Sequence, residues 1–264
     1  MCWLLRLTVA VLSLLRMPAE AGTANDGGTR KVVSVAAAAD AKFAFDELAA
    51  DFEKAEPLIK VQITYGSSGN FYAQLSQRAP FDIFFSADIS YPNKLVESGL
   101  ALPESKFTYG IGRIVLWAPT NSAVDPKSAT NALNSAAVRK IAIANPEHAP
   151  YGKAAIAAMQ SFGVYEAVKE KLVYGENIAQ AAQFAQSGAA DIGIIALSLA
   201  MAPAMKAKGV YWAIPTDACP QLEQAGVILS WARNLPETKK FKQFVLSDTG
   251  KEVLLRYGFS MPAK

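Results

Sequence analysis

From residue 31 onward the chain alternates short apolar runs with segments of helical periodicity, and this rhythm restricts it to α/β architecture with mostly parallel sheets. Val32 to Ala38 is β-branched and then small, the pattern of a buried strand. Phe45, Leu48, Ala49 and Phe52 follow at helical spacing, with Asp46, Glu47, Asp51 and Glu53 on the opposite face. Lys60 to Tyr65 alternates as a strand, Phe71 to Gln77 reads as a short helix, and Phe81 to Phe85 as a buried strand. Ile111 to Trp117 is a further strand. The middle of the chain repeats this grammar, with strands at Lys140 to Ala144, Asp191 to Leu197 and Val210 to Ile214, and helices at Lys153 to Phe162 and Asn177 to Gln186. A strand from Gly226 to Trp231 and one helix from Thr238 to Tyr257 are expected to close the chain.

Two such units with a late helix predict two lobes. No Gly/Ser/Pro-rich tether separates them, so strands are the expected crossings, near Gly112 to Ala118 and Ala225 to Arg233. The expected division is lobe 1 from residues 30–115 and 229–264, and lobe 2 from 116–228.

The N-terminus carries Arg6, an apolar run from Leu7 to Leu15, and Ala19-Glu20-Ala21, a small-x-small pattern suited to signal peptidase. The run is too short to span a bilayer, so residues 1–21 read as a signal peptide for export. Cys2 has no lipobox before it. Cleavage after Ala21 would leave Cys219 alone and rule out an internal disulfide.

Catalytic constellations are scarce. His148 is the only histidine, and there is no GxSxG, Walker-type or GxGxxG motif. One His and one mature Cys, far apart, make no metal-ligand spacing. The net charge of +3 is small and unclustered, unlike a nucleic-acid footprint. What stands out is a set of small-residue loops between strands and helices: Ala36 to Asp40, Gly66 to Gly69, Asn145 to Gly152 and Glu176 to Ile178. In open α/β sheets ligands bind beyond the carboxyl ends of strands, where helix N-termini offer free N–H groups and a positive dipole end. Neutral donors of that kind suit a fully deprotonated oxyanion. Each loop alone is equally readable as an ordinary turn.

At these loops the sequence resembles the periplasmic molybdate-binding proteins of ABC importers, from about Lys31 to Phe259. The resemblance is carried by AAAADAKFAFDELAADF at 36–52, YGSSGNFYAQL at 65–75, APFDIFFSAD at 79–88, FTYGIGRIVLWAP at 107–119, IAIANPEHAPYGKAA at 141–155, SGAADIGIIALS at 187–198 and LLRYGF at 254–259. It implies a two-lobed, type II periplasmic-binding-protein fold, with the oxyanion enclosed in the cleft and lobe closure signalling occupancy to a membrane permease. The implied ligand is molybdate or tungstate, bound by a monomer in the periplasm, with no cofactor and no enzymatic activity. Molybdenum would enter only inside the oxyanion. By position, lobe 1 would contribute Ala39, Asp40 and Ser68, and lobe 2 Tyr151 and the backbone N–H of Ile178. Ser67 would shape its turn.

This sequence departs from its relatives at two positions. Many have a hydroxyl or amide where Asp40 stands, and an ionised carboxylate beside a dianion is repelled. The expectation is that Asp40 caps its helix and shows the ligand only its backbone N–H; the alternative is a protonated Asp40, with affinity falling as pH rises. Some relatives carry a tyrosine where Ala196 stands, a donor that Tyr151 would replace. A sulfate or phosphate protein, an enzyme built on Asp40, Glu147, His148 and Tyr151, and a cation binder remain as rival readings.

Overall fold

The computed structural model describes residues 30–261, so the expected signal peptide lies outside the described residues. The strands are β1 (Lys31–Ala38), β2 (Ile59–Gly66), β3 (Ile83–Ser86), β4 (Phe107–Gly112), β5 (Ile114–Pro119), β6 (Ile141–Ala144), β7 (Leu172–Gly175), β8 (Ile192–Ala196), β9 (Gly209–Ala213) and β10 (Leu222–Ile228). The helices are α1 (Lys42–Ala55), α2 (Ser68–Ser76), α3 (Ser90–Glu97), α4 (Ala129–Asn134), α5 (Pro150–Ser161), α6 (Tyr165–Val168), α7 (Ile178–Ser187), α8 (Leu197–Ala200), α9 (Pro203–Lys206), α10 (Leu235–Leu246) and α11 (Asp248–Arg256).

Two five-stranded sheets share one plan. Their orders are β2-β1-β3-β10-β4 and β7-β6-β8-β5-β9. In the first, β1 pairs in parallel with β2 and β3, while β10 runs antiparallel between β3 and β4. In the second, β6 pairs in parallel with β7 and β8, while β5 runs antiparallel between β8 and β9. The antiparallel strand of each sheet is the one that arrives directly from the other sheet. Both sheets are therefore mixed, each with one strand against the rest.

The crossings correct three expectations. Ile111 to Trp117 is not one strand; it breaks at Arg113, with β4 in the first sheet and β5 in the second. The return crossing is Ile214 to Gln221, earlier than the expected 225–233. Assigning 116–228 to lobe 2 therefore misplaces β10, which pairs with β3 and β4 in the first sheet. The polar pair Glu223-Gln224 hid the start of that strand, because Gln224 is fully buried against partners that only the fold supplies. The closing helix is two helices. Ser247 breaks it and caps α11 by accepting a hydrogen bond from the Gly250 N–H.

Helix α1 forms as its periodicity predicts, burying Ala44, Phe45, Leu48, Ala49 and Phe52 against the first sheet. Strand β1 serves two core layers by alternation: Val33, Val35 and Ala37 face one, Ala36 the other. The second lobe has a single large core under α5 and α7. Strands β1, β2, β6 and β7 each end at a loop that opens a helix or turn. Those four carboxyl ends place the site.

Candidate functional site

Each loop delivers a helix start to one small cavity. After β1 a 3-10 turn, Ala39–Ala41, precedes α1; after β2 comes the start of α2 at Ser68; after β6 that of α5 at Pro150; after β7 that of α7 at Ile178. The first N–H groups of a helix have no intrahelical acceptor, so each start presents free donors. At α7 the Asn177 side chain accepts from the N–H groups of Ala179 and Gln180, which stabilises the helix and leaves the Ile178 N–H over. Gly152 is required on α5, since a Cβ there would meet the Ala144 carbonyl oxygen at 2.1 Å; the helix start lies directly on the end of β6.

The cavity is lined by residues of both lobes, among them Ala39, Asp40, Ser68, Ala87, Tyr151 and Ile178. The five residues singled out from the sequence thus come together in one place. The space is small, about 10 Å³, and admits no extended molecule. No lysine or arginine lines it. Ser68 is fully buried, and its Oγ accepts a hydrogen bond from the Ala87 N–H at 3.0 Å.

Asp40 departs from its expected role. The turn and α1 are preceded by Ala38 and Ala41, and neither start has a side-chain cap, so Asp40 is not an N-cap. Its carboxylate, 1% exposed, instead spans the lobes. Oδ2 accepts from the Tyr151 hydroxyl at 2.9 Å and from Gln224 Nε2 at 2.6 Å. Oδ1 is buried with no hydrogen-bond partner among the described residues. Burial pushes the Asp40 carboxyl up to about 6, against the pull of the bonds from Gln224 and Tyr151 and of nearby backbone N–H groups. Burial, then the nearby Asp40 charge, pushes the Tyr151 and Tyr109 hydroxyls well above the usual phenol range.

Sequence reasoning missed the residues that hold Asp40. Gln224 Oε1 accepts from the Tyr109 hydroxyl at 2.7 Å, which fixes its amide so that Nε2 donates toward Asp40 and Tyr151. Ser198 Oγ donates to the Asp40 carbonyl from the second lobe at 2.7 Å. The one available signal was the polar pair Glu223-Gln224 at the head of the apolar run Ala225 to Leu229. Ser67, expected only to shape a turn, makes a cross-lobe contact: its Oγ lies 2.9 Å from His148 Nδ1. The Gly69 N–H donates to the His148 carbonyl at 2.9 Å, and a Cβ at Gly69 would meet that oxygen at 2.6 Å. His148 therefore bridges the lobes across the cleft, through the Ser67 hydroxyl and the Gly69 N–H. Ala196 is buried at the end of β8, paired with Ile114.

The cavity gathers four helix or turn starts, the Ser68 and Tyr151 hydroxyls and the Asp40 carboxyl. It has no acid–base pair aimed at a shared reacting atom, and among the described residues no group of three His, Cys, Asp or Glu side chains could hold a metal ion.

Comparison with known proteins identifies the family. The bacterial extracellular solute-binding protein family model matches residues 33–260. The molybdate-binding protein ModA of Rhodobacter capsulatus is 40% identical over 75% of this chain and 77% of its own length. That of Azotobacter vinelandii is 36% identical over 87% and 90%. The solved Azotobacter vinelandii periplasmic molybdate-binding protein superposes with a TM-score of 0.80 at 32% identity, covering 88% of this chain and 100% of that one. These relatives are binding proteins and not enzymes. The chain belongs to the bacterial extracellular solute-binding protein family, as a homologue of its molybdate-binding members.

Proposed function

We propose that this chain captures molybdate or tungstate in the periplasm and delivers it to the permease of an ABC importer. It works as a monomer exported through residues 1–21. The observation that carries this reading is the convergence of four helix or turn starts and Ser68 on one small cavity that no lysine or arginine lines. Ala39, Asp40, Ser68, Tyr151 and Ile178 are the binding residues. Their N–H and hydroxyl donors match an oxyanion that carries no proton of its own. The relatives named for molybdate support the choice of ligand over sulfate or phosphate.

Asp40 fits such a site only when protonated. Its unpartnered Oδ1 then supplies a donor where an ionised carboxylate would repel the dianion. Binding of molybdate therefore takes up a proton, and affinity falls as pH rises above about 6.

Calorimetric titration with molybdate, tungstate, sulfate and phosphate tests the function. One-to-one binding of the first two alone is the expected result, and Ser68→Ala then weakens it by roughly tenfold or more. Silence from molybdate and tungstate with heat from phosphate or sulfate would sink the ligand assignment and leave the fold standing. A pH-independent molybdate affinity between about pH 5 and 8 would overturn the protonated Asp40 alone.

A further inference from the structure

A second cavity lies at the two crossings, not in the cleft. It measures about 370 Å³, far more than the oxyanion cavity, and no site residue named above lines it. Arg113, the residue at which the chain passes from β4 to β5, forms one wall; Ile214, Thr216 and Cys219, from the return crossing, form another. Both chain crossings therefore build it.

Its chemistry is one-sided. Ile114, Ile214 and Leu222 make apolar walls, and Arg113 supplies a permanent positive charge. No aspartate or glutamate lines the space. Two acids adjoin its lining in sequence: Asp217, exposed on the return crossing, and Glu223, which accepts from the Thr108 hydroxyl on β4. Arg113 Nε is buried and has no hydrogen-bond partner among the described residues. A guanidinium set among apolar walls, with no acid in the lining, favours an occupant of opposite charge. The volume falls at the lower end of the roughly 300–1,000 Å³ typical of small-molecule pockets, which are mostly apolar with a few placed polar groups.

We propose that this hinge cavity is a second binding site, taking a small carboxylate with an apolar body whose carboxylate pairs with the Arg113 guanidinium. The guanidinium fork matches a carboxylate, and the isoleucine and leucine walls favour a short aliphatic or aromatic body over an inorganic anion. The site is independent of the oxyanion reading, since it shares no residue with that cavity.

Cys219 is a reporter built into the wall. It is half-buried, and burial pushes its thiol up, so it reacts slowly enough with a maleimide for protection to be measured. The chain beginning at Gly22 contains no other cysteine. Hexanoate is expected to slow its alkylation saturably, while hexanol at equal concentration leaves the rate nearly unchanged. Arg113→Gln should raise the hexanoate concentration for half-protection about tenfold or more, and Arg113→Lys should raise it less. Absence of hexanoate protection, or equal protection by hexanol, would overturn the proposal in the unmodified protein and without any variant. Protection unchanged in a folded Arg113→Gln protein would equally overturn it.

Discussion

The two lobes share a strand order and differ in what fills them. The first packs large aromatic side chains: Phe85 contacts Phe45, Phe107, Tyr109 and Phe241 edge-on, with centroids 4.6 to 6.1 Å apart. The second is built from alanine and isoleucine; α5 buries Ala154, Ala155 and Ala158, and α7 buries Ala181, Ala182 and Ala185. Aromatic filling spaces helices from a sheet, whereas alanine lets them lie close. The same topology can therefore be reached by bulk or by close approach. Each solution has its own weakness: truncation damages the first, enlargement the second.

The largest effect should come from Phe85→Ala, which empties the middle of the aromatic cluster. A loss of about 3–5 kcal/mol is expected in denaturant unfolding, and a loss near 1 kcal/mol would break the comparison. Asp40→Asn comes next, because it touches the contact between the lobes. The folded-state carboxyl sits above its ordinary value, so the folded protein holds a proton that the unfolded chain releases. That stabilisation is whole below about pH 4 and is lost as pH rises toward about 6. The span corresponds to about 3 kcal/mol. Asp40→Asn should abolish this slope in melts taken from pH 4 to 7, together with the pH dependence of molybdate affinity. A slope that survives would place the titrating group elsewhere.

Ala155→Leu tests the second lobe from the other side. Overpacking against β6 and β8 should cost about 1–3 kcal/mol, at a position where the side chain is already alanine and truncation has nothing to remove. The smallest expected effect is that of Asn177→Ala, about 1 kcal/mol from loss of the α7 cap. Its circular-dichroism melt should move by a few degrees. Molybdate affinity should fall as well, because the cap helps to hold the Ile178 N–H in the cavity wall.

Much of the fold was legible because its elements obey local periods. Helix α1 and strands β1, β2, β6 and β8 lie close to where the apolar pattern places them, and the small-residue loops at strand ends mark where helices begin. The boundaries that failed were those at the crossings. A strand leaving one sheet and one entering the next look alike in sequence, so Ile111 to Trp117 read as one strand. Only the pairing of β4 with β10 and of β5 with β8 shows the break at Arg113.

The site divides in the same way. Residues 36–40, 66–69, 145–152 and 176–178 announced themselves, because donor-rich turns between a strand and a helix are local chemistry. By itself the sequence indicated which backbone groups could be donors; that no lysine or arginine lines the cavity came from the fold. Only the tertiary structure decided the state of Asp40. A carboxylate's preference for its proton depends on solvent exclusion and on partners distant in the chain, here Tyr151 and Gln224 at separations of 111 and 184 residues. Local propensity would have turned Asp40 back onto its own helix; closure of the two lobes buried it between them instead.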